Sequence, residues 1–207
     1  MSTVYLIRHA ENDYVKKARL AGWLSGVHLN AHGRAQAEAL AEVMQPVKLD
    51  AIYASPLERA VETAEPLAKA KGLQVIERAG LIEVDVGRWQ GQSIRTIRRR
   101  KLWQLVQQAP SLARFPEGES FTEAQARAVA EIDNILSAHR GRKAAIACLT
   151  HADVIKLIIA HYLGLPLDLF QRLTVLPASI SLLHISDGYT RLLKLNDGRA
   201  AERAREQ

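Results

Sequence analysis

Thr3-Val4-Tyr5-Leu6-Ile7-Arg8, followed at once by His9, is the stretch that decides the fold. Its short apolar run suits a strand of a parallel sheet buried on both faces. It ends on two side chains that water would normally hold. The same grammar recurs at Lys143–Thr150, an apolar run that stops at His151, and at Leu49–Ala54, which stops at Ser55. Leu73–Glu77 reads as a further strand.

Helical periodicity fills the gaps between these runs. Gly33–Met44 places Ala35, Ala39, Leu40 and Val43 on one side of a helix. After Ser55, Pro56 suits a first helical position and Glu58 sits three residues on, the pattern of a capping box, so Ser55 is expected to cap a helix that ends near Gly72. Phe121–His139, capped by Ser120, and Ala152–Leu163, ending at Gly164, are two more helices. Strands alternating with helices predict an α/β fold: three αβα layers around a mainly parallel sheet. Ser179–Ile185 and Tyr189–Leu195, joined by Ser186-Asp187-Gly188, read as a hairpin. Glu11–Asn30 reads as irregular.

Two segments stand apart. Gly80–Gly118 contains Gly87, Gly91, Pro110 and Pro116, and reads as a loop plus a helix forming a small cap inserted at about residues 80–118. The tail 197–207 is charged and small, expected to be a frayed helix or disordered. Residues 1–196 are expected to form a single domain.

Composition narrows the function classes. The 207 residues are 48% apolar and 24% charged, which argues against a disordered chain. No apolar run approaches the roughly 20 residues of a membrane span, and Met1–His9 lacks the basic start of a signal peptide. A single cysteine, Cys148, excludes an internal disulfide and a multi-cysteine metal site. A cytoplasmic protein is expected. The net charge of +6 is local. Val86–Pro116 holds seven basic residues, four of them in the run Arg98-Arg99-Arg100-Lys101, and no acidic one, while the rest of the chain is close to neutral. That run reads as a solvated helix face, as a contact for a second anionic group of a substrate, or as a nucleic-acid contact. If it is one helix, its four cations point around most of the circumference and cannot all enter one pocket.

In open α/β sheets ligands bind at the carboxyl ends of the strands. There the sequence delivers Arg8-His9, Ser55 with Arg59 in the next helical turn, and His151. Two arginines, two histidines and helix N-termini converging on one edge describe a phosphate pocket with a nucleophilic imidazole in it.

These residues sit in motifs that resemble the histidine phosphatase (phosphoglycerate mutase-like) superfamily. Leu6-Ile7-Arg8-His9-Ala10-Glu11 is similar to its Arg-His-Gly signature, and Ser55–Ala64 to its second-arginine helix. Leu81–Gly91 resembles its acid-donor loop, Pro116-Glu117-Gly118-Glu119-Ser120 its Pro-Gly-Gly-Glu-Ser turn, and Thr150-His151-Ala152-Asp153 its second-histidine motif. The five occur in order across about residues 3–195. The resemblance implies a metal-independent phosphomonoesterase of the phosphatase branch, acting on a small phosphorylated metabolite without cofactor. His9 is the implied nucleophile that becomes phosphohistidine. Arg8, Arg59 and His151 are the implied phosphoryl clamp, and Glu83 the implied acid and base, with Asp85 its rival. The resemblance also leaves open a bisphosphate-primed phosphoglycerate mutase. A non-catalytic phosphate- or RNA-binding module is the rival from another class. No membrane partner is expected, nucleic acid is disfavoured, and the chain is expected to be a monomer or homodimer.

The departures from the family pattern bear on substrate fit. Ala10 and Ala152 stand where Gly is usual, so the Ala10 methyl is expected to narrow the approach beside His9. Glu117 replaces a Gly. Val15 stands where many members carry a phosphate-binding Asn, and Asn12 is the candidate to replace it. His28 and His32, four apart between glycines, read as surface histidines rather than metal ligands. His139, His161 and His184 read as structural or exposed, Cys148 as a buried hydrophobe, and Trp89 as either a pocket wall or packing.

Overall fold

The computed structural model describes residues 2–140, 143–186 and 188–205. Its sheet comprises β1 (Ser2–Arg8), β2 (Ala51–Ala54), β3 (Val75–Glu77), β4 (Ala145–Thr150), β5 (Ile180–Ser186) and β6 (Tyr189–Asp197). The order across the sheet is β3-β2-β4-β1-β5-β6. The first four of these run parallel, and β5 and β6 close one edge antiparallel. The helices are α1 (Asp13–Lys16), α2 (Ala31–Val43), α3 (Glu58–Lys71), α4 (Ile94–Ile97), α5 (Lys101–Gln108), α6 (Phe121–Ala138), α7 (Ala152–Leu163) and α8 (Arg199–Arg203). No described helix is long and apolar enough to cross a membrane.

Strand alternation divides the core. Ile7, Ile52, Ala54, Ala147 and Leu149 face one way and pack against Leu40 and Met44 at α2 and Leu67 of α3. Val4, Leu6, Tyr53, Ile146 and Cys148 face the other way, onto Ile132 and Ile135 of α6 and Val154 and Ile158 of α7. Both faces of the central strands are therefore covered, which is why they read as nearly unbroken apolar runs. Each fully buried aliphatic side chain contributes about 1.5–3 kcal/mol. Helix α6 starts on a complete capping box between Ser120 and Glu123.

Two local expectations give way, and one of the two readings of the tail is selected. Ser55 does not cap α3. Leu57 holds the N-cap position, and no side chain caps that end. The Ser55 hydroxyl instead meets His151. The segment between β3 and α6 carries two short helices, α4 and α5, rather than one. The basic run lies across their junction, because Arg100 is extended (φ −85°, ψ 145°). The charged tail forms α8, whose Ala200 is fully buried in the α2/α3 side of the core and whose Arg203 pairs with Glu42. Segment Glu11–Asn30 carries the short α1, and β6 runs on to Asp197. In the hairpin turn, Asp187 lies outside the described residues.

The inserted segment has its own core. Val84, Val86, Trp89, Ile97, Val106 and Phe115 pack with Phe121 of α6 and Leu157 of α7. Trp89 is almost fully buried there, between Trp103 and Phe115, so it packs and does not line the cavity described below.

Candidate active site

The register of β1 on β4 creates the centre of the site. Arg8 pairs with Thr150, and the His9 backbone N–H donates to the Thr150 carbonyl at 2.8 Å. The next residue of each strand is a histidine, so the two rings meet with centroids 5.2 Å apart. Both are almost wholly buried, at 4% and 0% exposure.

Hydrogen bonds settle which ring nitrogens are free. His9 Nδ1 lies 2.8 Å from the Ala10 carbonyl. A carbonyl only accepts, so Nδ1 carries the proton and Nε2 keeps its lone pair. Burial, reinforced by the Arg59 and Arg8 charges, holds the His9 pKa well below 6.5, so the ring is neutral near pH 7. His151 Nε2 lies 2.8 Å from Ser55 Oγ. The Leu57 N–H donates to that oxygen as well, and when the hydroxyl gives its proton to Nε2, His151 presents Nδ1–H. That Nδ1 is buried without a hydrogen-bond partner. Burial and the same arginines hold the His151 pKa low too.

The guanidinium groups are only partly used. Arg59, 1% exposed, donates Nη2 to the Gly22 carbonyl at 2.8 Å, and its Nε and Nη1 have no partner. Arg8 donates Nη1 to the Val175 carbonyl, and its Nε has none. Asn12 spends Oδ1 on capping α1 through the Val15 N–H, leaving Nδ2 buried and unpaired. Thr63 locks the arrangement: it accepts from the Ala10 N–H at 3.0 Å and donates to the Arg59 carbonyl at 2.6 Å. An unpaired buried donor costs about 1–3 kcal/mol. Three of these residues, Arg8, Asn12 and Arg59, line one cavity, which suits an oxyanion.

Glu83 is held from behind by a network. Arg127 of α6 grips the Glu119 carboxylate in bidentate fashion (2.8 and 2.9 Å) and donates to the carbonyls of Gly80, Ile82 and Glu83. Thr150 Oγ1 donates to the Leu81 carbonyl. Gly87 and Gly118 let the loop close on the 116–120 turn. A Cβ on Gly118 would stand 2.3 Å from the Asp85 carbonyl oxygen, and one on Gly87 2.1 Å from that of Pro116. Glu117 keeps the left-handed backbone (φ 59°) that the usual Gly would adopt with less strain. Burial, then the Asp153 charge, pushes the Glu83 pKa up to about 7. Glu83 Oε2 lies 3.9 Å from His151 Nδ1. Asp85 accepts from the Gly87 N–H instead and lies outside the cavity wall.

A cavity of about 250 Å³ joins these groups: Arg8, His9, Asn12, Arg59 and Glu83 line it, with Asp153. His151 stands behind His9, and its Nδ1 reaches toward Glu83. The outer wall comes from two segments zipped by backbone bonds, with Ile94 N–H donating to Ala18 and Leu20 N–H to Gln92. The Ala10 methyl does not narrow this space, because it packs into the α2/α3 side of the core. Val15 lines the wall, as does Ala152. His28 pairs with Glu62, and Gln36 donates to His32, so the two histidines have separate partners. His139 meets the Tyr53 hydroxyl, and His184 lies 3.3 Å from Thr3 Oγ1. Burial pushes the Cys148 thiol pKa far up. Among the described residues no group of three His, Cys, Asp or Glu is placed to hold a metal ion. Sequence reasoning missed Ser55 as the partner of His151, Thr63 as the lock, and Asp153 as a wall residue. The signal for the last was its place two residues after His151.

Comparison with known proteins agrees with this geometry. Residues 4–198 match the family described as the histidine phosphatase superfamily (branch 1). The chain is 29% identical over 201 residues to phosphoserine phosphatase 1 of Hydrogenobacter thermophilus, covering 95% of this chain and 92% of that protein. It is 33% identical over 184 residues to a probable phosphoglycerate mutase, GpmB, of Klebsiella pneumoniae, covering 87% and 84%. The solved structure of a mycobacterial glucosyl-3-phosphoglycerate phosphatase in complex with VO3 superposes with a TM-score of 0.87 at 27% identity, covering 94% and 98%.

Proposed function

Since this chain belongs to the histidine phosphatase superfamily and is a phosphomonoesterase, we propose that it works through a phosphohistidine on His9, on small phosphorylated metabolites and without metal. One observation carries the reading. A neutral buried imidazole with a free Nε2 shares its cavity with the unpaired donors of Arg8, Arg59 and Asn12.

In the first step His9 Nε2 attacks phosphorus and the bond to the leaving oxygen breaks. Glu83, protonated, gives its proton to that oxygen and an alcohol departs. Arg8, Arg59, Asn12 Nδ2–H and His151 Nδ1–H hold the three non-bridging oxygens, whose charge is the main burden of phosphoryl transfer. In the second step Glu83, now a carboxylate, takes a proton from water as its oxygen attacks phosphorus. The N–P bond breaks, phosphate leaves, and His9 and Glu83 regain their starting states. A carboxyl with a pKa of about 7 suits both tasks near neutrality. In this reading the segment 80–118 is the cap that meets the leaving group.

Hydrolysis of p-nitrophenyl phosphate with EDTA present tests the reading. Wild type turns over, and His9→Ala loses at least about 10⁴-fold in kcat. A His9→Ala variant as active as wild type overturns the assignment. The likeness to a probable mutase favours a second reading, primer-dependent isomerisation of a phosphoglycerate. It shares the same nucleophile and is separated by product: an isomer rather than free phosphate.

A further inference from the structure

The cavity wall holds two carboxylates, and hydrolysis as derived above uses only Glu83. The second is Asp153, in the first turn of α7. Lys156 takes its Oδ1 at 2.9 Å. Lys156 is itself tied to Gln171 at 3.1 Å and lies over the Phe170 ring. It is not part of the cavity wall, so it anchors the carboxylate from outside. Asp153 is about one-third exposed and stands beside the unpaired buried donors of Arg8, Arg59 and Asn12 that mark the phosphoryl position. Its charge helps push the Glu83 pKa up and opposes the lowering that burial imposes on Arg8. Around it the outer wall is mostly apolar, with Val15, Ala18, Leu20, Val86 and Ile94. Arg19 is the cation of that wall, and it gives its Nε to the Gly91 carbonyl.

A leaving group therefore meets a carboxylate in the cavity wall, held from behind by Lys156. An anionic substituent there is repelled, and an ammonium gains a charge-assisted hydrogen bond. We propose that Asp153 makes this site selective for phosphomonoesters of amino alcohols, with the substrate's ammonium on the Asp153 carboxylate. The small cavity fits an amine close to the ester oxygen, as in O-phosphoserine or phosphoethanolamine. The inference rests on the phosphatase reading above and names the substrate class of that same site.

Two substrate pairs test it, each compared by kcat/KM at pH 7. Phosphoethanolamine and 2-hydroxyethyl phosphate differ only in ammonium against hydroxyl. O-phospho-L-serine and L-3-phosphoglycerate, matched in configuration, make the same contrast in the presence of a carboxylate. Wild type favours the amine of each pair by about tenfold or more, and Asp153→Asn brings both ratios close to one. Wild type indifferent to the amine, or a preference that survives in Asp153→Asn, overturns the role of Asp153 while release of phosphate keeps the phosphatase reading. Release of phosphate from none of the four, nor from p-nitrophenyl phosphate, overturns that reading and this inference with it.

Discussion

The two ends of the cavity are built differently. At the phosphoryl end, His9 and His151 each follow the last residue of a parallel strand, and the backbone bond between His9 and Thr150 fixes their spacing. Arg59 comes from the first turns of α3, locked by Thr63. At the leaving-group end the wall is α1, α4 and the loops between them, joined by a few backbone bonds. Its footing is a separate small core around Trp89 and Phe115. The difference teaches where chemistry and selectivity reside. In this reading strand register positions the first, and short helices and loops carry the second.

Four substitutions bear on this contrast. Arg59→Met removes two unpaired donors from the phosphoryl end and is expected to lower kcat about 10³-fold for every ester alike. Steady-state kinetics on several esters checks it, and a loss confined to one ester would erase the distinction between the ends. Glu83→Gln lies at the boundary. It is expected to cost about 10² for alkyl phosphates, whose leaving oxygen needs a proton, and less for p-nitrophenyl phosphate. The sign of the pH effect follows from the raised pKa. Glu83 is protonated below about 7, so turnover of alkyl esters falls as pH rises through that value. Asp153→Asn removes a negative neighbour, favours the carboxylate, and moves this limb to lower pH. A pH–rate profile that ignores both changes would deny Glu83 its role. The smallest effect belongs to Ile94→Ala at the outer wall. It is expected to reorder esters by about tenfold in kcat/KM, while inhibition by inorganic phosphate, which touches only the phosphoryl end, stays put. A changed phosphate inhibition constant would show the ends to be coupled.

The same contrast explains what could be read from the sequence. Strands buried on both faces and helices with one apolar stripe announce themselves, so β1, β4 and α7 were visible, and with them each residue that follows a strand. Ser55 misled because a capping box is a local pattern, and a tertiary partner, His151, claimed its hydroxyl. Arg98–Lys101 looked like one helix because nothing in four cations signals the extended Arg100 between two short ones. The tail read only as a frayed helix or disorder because its buried contacts are the methyls of Ala200 and Ala204, too small for a hydrophobic pattern. Asp153 was missed for a related reason. An acidic residue in a first helical turn is ordinary helix chemistry, and only the fold shows that this one faces the cavity beside Glu83.

The central claim is a phosphoryl group carried on His9 Nε2. Mass spectrometry of the protein quenched during turnover of p-nitrophenyl phosphate, with the digest kept alkaline to preserve phosphohistidine, tests it most directly. The account predicts one phosphoryl adduct, on the peptide holding His9, absent from His9→Ala. An adduct on another residue, or one that persists in His9→Ala, would contradict it.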